Sequence, residues 1–581
     1  MGKRFVSESI IGIDLGTTNS EVAVIQAGQV EVIEIEGSRL LPSVVGLAED
    51  GSLLVGQAAR NQAALHPERT VRSIKRRMGE DIRVPLGGTE YSPQEISALI
   101  LGRLKRAAED YLHGPVGRAV ITVPAYFSDA QRQATRDAGE LAGLEVRRII
   151  NEPTVAALAY EAEHPQRKHV LVYDLGGGTF DVSVVRVEGD VVEVLASHGN
   201  NHLGGDDFDA RIIEHLQHRL KEEHAVDAGS DPRVMARLAR AAEAAKIRLS
   251  DAPYARVEEE YLLEHDGSPI HLDVELERHD YEAMIEPYLA ETLEAVHTAL
   301  EGAKLTASEI DEVLLVGGAT RTPVIQRRLE EELGLQPRSE LDPDLCVATG
   351  AALQAAMIAG ERVASVLLDI TPYTFGTSAL GELNGEPYPY AFIPMIRKNT
   401  PIPVTKSEAF YTVHDGQEMI EVRVYQGEDP DALNNAQIGS FHVEGLRGMP
   451  AGEPIIMTFS LDLNGILQVS AMEKRTGLEK RITIDNATAR FERDEMSGAR
   501  ERIHALIEGE ARPAEQHNRQ SVQTEALLEK AERLMESATP EDREDLVNAI
   551  EAVRDALAAE DSAELQRATD ELTDLIFYLE A

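Results

Sequence analysis

The stretch Val172-Tyr-Asp-Leu-Gly-Gly-Gly-Thr-Phe-Asp-Val-Ser183 places three consecutive glycines between two strand-like runs, with an acid just before them. This pattern predicts a β-hairpin with an unusually bare turn. Residues without a Cβ can adopt positive φ and point successive N–H groups into one concavity, which suits a phosphate. Asp174 beside such a turn indicates a magnesium site, because Mg²⁺ is usually held by one or two carboxylates together with the phosphates. A glycine-rich surface hairpin without a ligand is the alternative.

The chain contains the same pattern a second time, near its N-terminus. Ile11-Gly-Ile-Asp-Leu-Gly-Thr-Thr-Asn-Ser20 is again an apolar run, an acid, a glycine turn and hydroxyl residues, so that Asp14 matches Asp174. A third run, Val313 to Pro323, is a buried-type strand that opens onto a double glycine. The sequence has no P-loop run and no dinucleotide-binding Gly-x-Gly-x-x-Gly run after a strand. The repetition therefore favours a nucleoside phosphate site gripped by paired hairpins.

Composition limits the class of protein. The chain has 581 residues, 43% of them hydrophobic, and at about 100 to 200 residues per domain it can build three or four compact units. The net charge of −44 argues against a nucleic-acid partner. Cys346 is the only cysteine, which leaves no disulfide within the chain and no cysteine-based zinc site. The sequence shows no export signal, lipid anchor or membrane span, so we expect a cytoplasmic protein without a membrane partner.

Residues up to about 360 alternate strand-like runs with amphipathic helical ones, which predicts an α/β unit of two half-domains. The strand-like run Val120–Phe127 leads into a helix that Ser128 or Asp129 can cap. Ile149-Ile-Asn-Glu-Pro-Thr154 starts another helix, because proline is common at an early helical position. Glu152 lies at its entrance, where the structural alternative to a catalytic role is a helix cap.

The rest of the chain changes character twice. From Tyr373 to about Ile484, short β-rich runs with frequent turns predict a β-sandwich. From about Phe491 the chain is helical and strongly charged, and Thr539-Pro-Glu-Asp is a helix start. Apolar residues then repeat on one helical face, which predicts a small helical bundle. These residues are Leu546, Ile550, Val553, Leu557, Leu565, Ala568, Leu572, Leu575 and Leu579.

Six motifs carry a resemblance to a known family. They are Ile13-Asp-Leu-Gly-Thr-Thr-Asn-Ser20, Ile121-Thr-Val-Pro-Ala-Tyr-Phe127, Ile149-Ile-Asn-Glu-Pro-Thr154, Asp174-Leu-Gly-Gly-Gly-Thr-Phe-Asp181, His202-Leu-Gly-Gly-Asp-Asp-Phe-Asp209 and Leu315-Val-Gly-Gly-Ala-Thr-Arg-Thr-Pro323. In this order they resemble the heat-shock-protein-70 (DnaK-type) chaperones over essentially the whole chain. The resemblance implies a multidomain protein with an actin- and hexokinase-like, two-lobed α/β ATPase domain (residues 1–361). An interdomain linker (362–370), a peptide-binding β-sandwich (371–486) and a C-terminal α-helical lid (487–581) would follow.

The function implied by the resemblance is that of an ATP-dependent chaperone. It would bind exposed apolar segments of unfolded proteins, and ATP hydrolysis would switch its affinity for them. ATP or ADP with Mg²⁺ are the implied cofactors, with K⁺ as a further candidate ion, and a J-domain co-chaperone and a nucleotide exchange factor are the implied partners. Fold analogy leaves a sugar or metabolite kinase as one alternative, which would have no use for residues 366–581. A non-hydrolysing scaffold is a second alternative, against which the retained catalytic residues argue.

The resemblance also assigns the residues of the nucleotide site. Lys75 would reach the γ-phosphate, and Glu152 or Asp181 would orient the attacking water, since phosphoryl transfer needs mainly positioning and charge stabilisation. The catalytic set is Lys75, Glu152, Asp174, Thr179 and Asp181. The ATP-binding set is Gly16, Thr17, Thr18, Asn19, Gly176, Gly177, Gly178, Thr179, Gly204, Gly205, Glu243, Lys246, Ser250, Gly317, Gly318, Arg321 and Asp344. Mg²⁺ is assigned to Asp14 and Asp174 through water.

Some of these residues have an ordinary structural alternative. Lys75 is followed by two arginines and could belong to a solvated basic turn. Glu243, Lys246 and Ser250 fall on one helical face, which could simply be solvated. The family resemblance implies that this face binds ribose and adenine and that Arg321 stacks on the base.

The remaining assignments concern peptide binding and interdomain coupling. Two residues would arch over an extended peptide and four would line an apolar pocket, for which sandwich core is the alternative. These residues are Leu380 and Val413 for the arch, and Phe410, Ile420, Val422 and Ile466 for the pocket. Phe410, Val422 and Ile466 can belong to the core and to the pocket at once. The coupling set is Pro124, Arg132, Arg148, Val366, Leu367, Leu368 and Asp369, of which Arg148 matches an arginine used by J-domain co-chaperones. We expect the apolar side chains at 366–368 to be buried against whichever domain they dock on.

Three features depart from the family pattern. The connection 381–395 is longer than usual and rich in proline and tyrosine, and Thr377 replaces a pocket-lining aliphatic residue. The linker reads Ala364-Ser365 where an acid and a valine are usual. We expect the first two to alter client preference and the third to alter coupling.

Overall fold

The computed structural model of the protein describes residues 9–26, 28–161, 167–189, 191–265, 268–338, 342–361, 366–474, 477, 479–483 and 493–508, and nine single residues between 543 and 572. The chain forms two compact units, Met1–Ile507 and Glu508–Ala581. Within the described residues no helix combines the length and apolar composition needed to cross a membrane. The predicted linker feature Ala364-Ser365 lies outside the described residues.

The first lobe of the α/β region is built on one mixed sheet, against which its two longer helices pack in a shared core. Its strands are β1 (Ile10–Asp14), β2 (Asn19–Gln26), β3 (Gln29–Val32), β4 (Leu41–Pro42), β5 (Val45–Leu47), β6 (Leu53–Val55), β7 (Thr70–Val71), β8 (Val84–Leu86), β9 (Thr89–Tyr91), β10 (Arg118–Val123) and β11 (Glu145–Asn151), and its helices are α1 (Gln57–Gln62), α2 (Pro93–Leu112) and α3 (Asp129–Leu141). The main sheet has the order β11-β10-β1-β2-β3, with β4 paired to β2. Ser128 caps α3 and shares a capping box with Gln131, which confirms the cap predicted for this helix.

The second lobe repeats this plan. It contains α4 (Glu152–Glu161), β12 (Lys168–Leu175), β13 (Phe180–Glu188), β14 (Val191–Asn200), α5 (Gly205–His224), α6 (Pro232–Asp251), β15 (Tyr254–His265), β16 (Ser268–Glu277), α7 (Arg278–Ala303), β17 (Glu312–Val316), α8 (Pro323–Leu333) and α9 (Cys346–Ala359). Its sheet continues into two strands from farther along the chain, β18 (Val366–Ile370) and β21 (Pro401–Ile402), in the order β17-β12-β13-β14-β18-β21. The two sheets fit the half-domains predicted from the alternation of strands and helices.

The predicted β-sandwich follows. Its strands are β19 (Phe375–Leu383), β20 (Glu386–Ile396), β22 (Val404–Tyr411), β23 (Gln417–Gln426), β24 (Ala436–Met449), β25 (Pro454–Leu461), β26 (Leu467–Glu473) and β27 (Glu479–Thr483). They form two four-stranded sheets, β20-β19-β23-β24 and β22-β25-β26-β27, around an apolar core. The long connection 381–395 forms most of a hairpin between β19 and β20, which turns at Asn384 and Gly385, both with positive φ.

The helix after the sandwich belongs to the first compact unit. This helix, α10 (Arg493–Glu508), buries Ala499 and Ile503 in the core of the first lobe. Its Arg502 pairs with Glu95 of α2, which is fully buried. The boundary between the compact units therefore falls after residue 507, inside the lid predicted for 487–581.

Five of the apolar residues predicted on the later helical face are described, and all five are buried in the second unit. They are Leu546, Ile550, Val553, Ala568 and Leu572. The other four, Leu557, Leu565, Leu575 and Leu579, lie outside the described residues.

Candidate functional site

A cavity of about 620 Å³ lies between the two lobes, a size that suits a nucleotide-sized ligand. Most of the predicted nucleotide-site residues line it. They are Asp14, Gly16, Thr17, Thr18, Asn19, Lys75, Glu152, Asp174, Gly176, Gly177, Thr179, Gly205, Glu243, Lys246, Ser250, Gly317, Gly318, Arg321 and Asp344. Gly178, Gly204 and Asp181 are not among the lining residues.

Two hairpins with the same geometry border the cavity. In the first, β1 and β2 are antiparallel and Asp14 lies opposite Glu21. In the second, β12 and β13 are antiparallel and Asp174 lies opposite Asp181. The repeat seen in the sequence thus becomes a pair of strand–turn–strand units whose turns contribute to the same cavity.

Glycine is required where these turns meet. A Cβ atom on Gly177 would lie 1.9 Å from Oγ1 of Thr18, and one on Gly204 would lie 2.5 Å from the backbone nitrogen of Gly178. Gly317, at the third turn, has a φ of +82°, which favours glycine. Bare backbone therefore forms part of the cavity wall, and Gly178 and Gly204 support it. Such a wall fits phosphate oxygens, which can accept hydrogen bonds from the backbone N–H groups.

Lys75 and Glu152 form a buried ion pair at this cavity. Lys75 Nζ lies 2.6 Å from Glu152 Oε1, and the two residues are 5% and 6% exposed. Glu152 is the first residue of α4, as predicted for the start of this helix. Burial lowers the pKa of Lys75, but the charges of Glu152 and Asp14 raise it by more, so that the net shift is upward. Lys75 therefore carries its positive charge at the cavity.

Further carboxyl groups are buried around this pair. Asp14 accepts a hydrogen bond from Thr122 Oγ1 at 2.7 Å. Burial raises the pKa of Asp174 well above its ordinary value, and the charges of Glu152 and Asp181 raise it further. Burial also raises the pKa of Asp14, which neighbouring groups only partly oppose. The cavity thus brings together more carboxyl groups than one lysine can neutralise, and their charged forms are disfavoured.

A bound divalent cation would stabilise the ionised forms of these carboxyl groups. Among the described residues, no cluster of three or more acidic, histidine or cysteine side chains could hold a metal ion by itself. Mg²⁺ commonly keeps several waters and takes only one or two carboxylates. The donor set around Asp14 and Asp174 therefore fits a cation held through its waters.

Glu21 is a buried carboxyl group of this site that sequence reasoning missed. It lines the cavity, is 3% exposed, and hydrogen bonds with Asp14. Burial, followed by the charges of Asp14 and Asp344, raises its pKa well above its ordinary value. A signal was present, since Glu21 follows Asp14 by the same seven positions that separate Asp181 from Asp174.

Asp181 is held by a neighbouring turn instead of lining the cavity. Its two carboxylate oxygens accept hydrogen bonds from the backbone N–H groups of Ala125 and Tyr126, each at 3.0 Å. Burial raises the pKa of Asp181 to about 6, which these two hydrogen bonds partly oppose. Of the two acids predicted to orient water, Glu152 lines the cavity in this arrangement and Asp181 does not.

Glu243 joins the two lobes as well as lining the cavity. Glu243 lies on α6 of the second lobe and pairs with Arg60 at 2.8 Å and Arg72 at 3.1 Å, both in the first lobe. Ser73 Oγ adds a hydrogen bond to Asp206 at 2.7 Å. Sequence reasoning missed the two arginines because no local pattern connects residues 171 or more positions apart. Contacts between the lobes therefore close the cleft on this side.

The other predicted adenosine-site residues are also restrained. Lys246 lies one turn before Ser250 on the same face of α6. Its Nζ atom lies 2.8 Å from Asp209 Oδ2. Arg321 Nη2 lies 2.8 Å from both Asp342 and Asp344. These acids set the direction of the guanidinium group, which was predicted to stack on the base.

The predicted peptide-binding residues divide into exposed and buried ones. Leu380 and Val413 are 63% and 51% exposed. Phe410 and Ile420 pack against the sandwich core but stay partly accessible, whereas Val422 is completely buried. Val422 thus lies in the sandwich core, whereas Leu380, Val413, Phe410 and Ile420 offer apolar surface.

Ile466 is not part of this group, so the sequence prediction was wrong for it. It belongs to the turn between β25 and β26, where its N–H donates to Asp462. Phe410 lies opposite Ile455, at the far end of β25 from that turn. Ile455, which is opposite Phe410, is buried in the sandwich core.

The turn that contains Ile466 instead contacts the first lobe. Asn464 Oδ1 accepts a hydrogen bond from the backbone N–H of Ile149 at 3.1 Å. The N–H of Leu467 donates to Asp129 Oδ1 at 3.3 Å. One end of the sandwich is therefore docked on the α/β region in this structure.

Three residues link this docking to the linker. Arg132 Nη2 donates to Asn151 Oδ1 at 2.6 Å, and Asn151 Nδ2 donates to both carboxylate oxygens of Asp369 at 2.9 Å. Arg132 also donates a hydrogen bond to the backbone carbonyl of Ala125, which is next to the predicted switch residue Pro124. Arg132 and Asp369 are thus connected through Asn151, a residue that the sequence did not single out.

Arg148 is placed differently from the rest of the coupling set. Its Nη1 donates to Gln354 Oε1 at 3.0 Å. Burial lowers its pKa, and the charge of Asp369 opposes this shift. Arg148 thus interacts electrostatically with Asp369 of the linker, whereas its hydrogen bond goes to Gln354 on α9.

The linker continues the sheet of the second lobe. β18 runs parallel to β14, and Leu367 lies opposite Val192. Leu367 packs against the core of this lobe, but Val366 and Leu368 are 55% and 41% exposed. The expectation that all three apolar side chains are buried on docking was therefore wrong for two of them, because neighbours on a strand point to opposite faces.

Comparisons with known proteins agree with this arrangement. The family model described as Hsp70 protein matches residues 10–86 and 80–580. The Chaperone protein DnaK of Thermosipho africanus is 44% identical over 583 residues, which cover 97% of this chain and 95% of that protein. The protein of the same name from Thermotoga neapolitana is 44% identical with the same coverage of each chain. That of Thermotoga petrophila is 47% identical over 88% of this chain and 85% of its own.

Proposed function

The chain belongs to the Hsp70 family, and we propose that it is an ATP-hydrolysing chaperone that binds exposed apolar segments of unfolded polypeptides. The nucleotide state sets its affinity for these segments. The observation that carries the proposal is the position of β18, which joins the sheet of the nucleotide cavity beside β14 and also pairs with β21. This strand gives the cavity and the sandwich a shared element whose position both can influence.

In the nucleotide cavity, the hairpin turns hold the phosphates and the face of α6 with Arg321 holds the nucleoside. Lys75 offsets the negative charge that develops at the γ-phosphate during hydrolysis. Glu152, fixed by its ion pair with Lys75, orients the attacking water, and Asp181 serves the same water when its turn allows it to approach. Asp14 and Asp174 would hold Mg²⁺ through its waters, and the ion would supply further charge neutralisation, with K⁺ as a candidate second ion.

In the sandwich, Leu380 and Val413 lie over an extended peptide. Phe410 and Ile420 form the apolar surface below it, and the buried Ile455 packs under Phe410 in the sandwich core. Main-chain hydrogen bonds supply affinity for such a segment, and a pocket selects the side chain.

Partners and location follow from the same proposal. A J-domain co-chaperone stimulates hydrolysis and an exchange factor releases the nucleotide, and the protein works in the cytoplasm. The proposed domains are an ATPase domain at 1–361, a linker at 362–370, a sandwich at 371–486 and a lid at 487–581.

A sugar kinase on the same fold is the rival, and it is not favoured, because the named relatives are chaperones that match nearly the whole chain. The test follows the γ-phosphate of ATP with and without an extended apolar peptide, and separately with hexoses. We expect inorganic phosphate as the product, at a higher rate with peptide. Label transferred to a hexose would establish a kinase instead, and a rate indifferent to peptide would remove the coupling.

A further inference from the structure

A tyrosine at the start of the sandwich reaches into the α/β region. Tyr373 follows β18, and its hydroxyl donates a hydrogen bond to the backbone carbonyl of Tyr126 at 2.5 Å. The two rings lie 4.7 Å apart, and Tyr126 also packs edge-on against His198 of β14 at 5.2 Å. Tyr373 therefore contacts the turn between β10 and α3 through both its ring and its hydroxyl.

The same turn holds Asp181. The N–H groups of Ala125 and Tyr126 donate to its two carboxylate oxygens. Residue 126 thus receives the hydroxyl of Tyr373 on its carbonyl and gives its own N–H to Asp181. The N–H and the C=O of residue 126 are joined through its Cα atom, so a displacement of the residue 126 backbone moves both groups.

Other contacts define what Tyr373 adds to this turn. Asn201 Nδ2 also donates to the carbonyl of Tyr126, at 2.7 Å, and Asn201 belongs to the α/β region. Arg132 holds the carbonyls of Ala125 and Phe127. Among these hydrogen bonds, only the one from Tyr373 comes from the sandwich, so it is the one that docking makes and undocking breaks.

We propose that Tyr373 is a positioning residue for ATP hydrolysis, which holds the 125–126 turn, and with it Asp181, away from the cavity while the sandwich is docked. When the sandwich leaves, the turn loses this restraint and Asp181 can approach the attacking water. The inference rests on the proposed ATP hydrolysis. It gives the sandwich a direct mechanical influence on a catalytic carboxylate, separate from the contact of the linker with Asn151.

The test compares Tyr373→Phe, which removes only the hydroxyl, with the parent in single-turnover hydrolysis. We expect the basal rate to rise about two- to tenfold, because the loss of one hydrogen bond changes an equilibrium constant by about this factor. The equilibrium here is between the restrained and the released turn. ATP affinity should not change, and peptide stimulation should fall in proportion. Tyr254→Phe is the matched control, because Tyr254 is half exposed on β15 and far along the chain from this turn.

A double-mutant cycle separates positioning from simple loss of docking. If Tyr373 acts through Asp181, Tyr373→Phe should leave the residual rate unchanged in an Asp181→Asn background. An equal rise in both backgrounds would mean that the hydroxyl only strengthens docking, and would overturn the proposal.

The remaining outcomes are also decisive. A parental rate for Tyr373→Phe together with an altered rate for Tyr373→Leu would assign the effect to the ring and reject the hydroxyl. If the parent hydrolyses ATP under peptide control while Tyr373→Phe matches it, this inference fails and the proposed function stands. If the parent does not hydrolyse ATP, both fail.

Discussion

The proposed nucleotide cavity and the proposed peptide-binding face of the sandwich are built on opposite principles. In the cavity, Lys75, Glu152 and Asp174 are ionisable groups with exposures of only 5%, 6% and 7%. On the sandwich, Leu380 and Val413 are apolar and more than half exposed. Fixed charges act most strongly where water is excluded, whereas capture of an extended segment needs accessible apolar surface. The difference indicates that substitutions in the two regions should affect separate measurements.

The largest expected effect is on hydrolysis, from Lys75→Ala. The change removes the charge assigned to the γ-phosphate and leaves Glu152 buried without its partner. We expect single-turnover hydrolysis to fall by about 10² to 10³, the range for removing one such electrostatic group. ATP binding should persist, because many backbone contacts supply the affinity.

Arg77→Ala is the matched control for this change, because Arg77 is an exposed neighbour that pairs only with Glu80 among the described contacts. Hydrolysis and nucleotide affinity should be measured on the same preparations. Hydrolysis at the parental rate in Lys75→Ala would remove Lys75 from the mechanism.

The second largest expected effect is on peptide stimulation, from substitutions in β18, the strand between the two regions. Leu367→Asp places a charge where the side chain packs on the second lobe, and burying an unpaired charge is costly. We expect it to abolish peptide stimulation of hydrolysis. Leu368→Asp, at a position 41% exposed, should retain most of it. Equal loss in both variants would contradict the observed alternation of β18.

A smaller effect is expected on peptide affinity. Ile420→Phe should overfill the apolar surface and weaken binding by about 5- to 100-fold, the range for overpacking. Basal hydrolysis should change little. Ile466→Ala should leave peptide affinity in ADP unchanged, since Ile466 lies at the other end of the sheet. Fluorescent-peptide titration checks both, and a loss confined to Ile466→Ala would reverse our placement of the pocket.

The smallest effect concerns pH at the docked end of the sandwich. Burial raises the pKa of Asp129 to about 7, the charge of Asp462 adds to this, and the N–H of Leu467 and the charge of Arg132 oppose it. Undocking exposes the carboxyl group, whose ordinary pKa is 3.8. Docking thus takes up a proton, so its contribution is complete below about pH 4 and is lost as the pH rises through about 7.

Protection of the linker from proteolysis, measured in the presence of ATP, should report this pH dependence of docking. Between pH 6 and pH 8 we expect docking to weaken by up to about tenfold. Asp129→Asn keeps an oxygen for Leu467 but cannot titrate, so its protection should vary less with pH. An identical pH profile in parent and variant would exclude Asp129 as the titrating group.

The two regions also differ in how far the sequence could predict them. The phosphate turns are contiguous motifs, so Gly16, Gly176 and Gly317 could be identified directly, and the structure brings them to one cavity. Arg60 and Arg72 could not be predicted, because they meet Glu243 only through closure of the lobes.

On the sandwich, local pattern predicts strands but not which residues lie opposite each other. Ile466 and Ile455 are both apolar residues of short β-rich runs, and only the pairing of β22 with β25 shows that Ile455 lies beside Phe410. Likewise, the linker motif did not reveal that β18 would become a strand of the α/β sheet. Both features depend on long-range pairing, which a single sequence does not specify.

Amide hydrogen exchange across β18 measures whether this strand changes its pairing with the nucleotide state. Our central claim is that this strand joins the sheet beside β14 in one nucleotide state and leaves it in the other. We predict that the amides of residues 366–370 are protected with ATP and exchange rapidly with ADP and an apolar peptide. Equal protection in both states would contradict the account, because the cavity and the peptide-binding face would then share no element that moves.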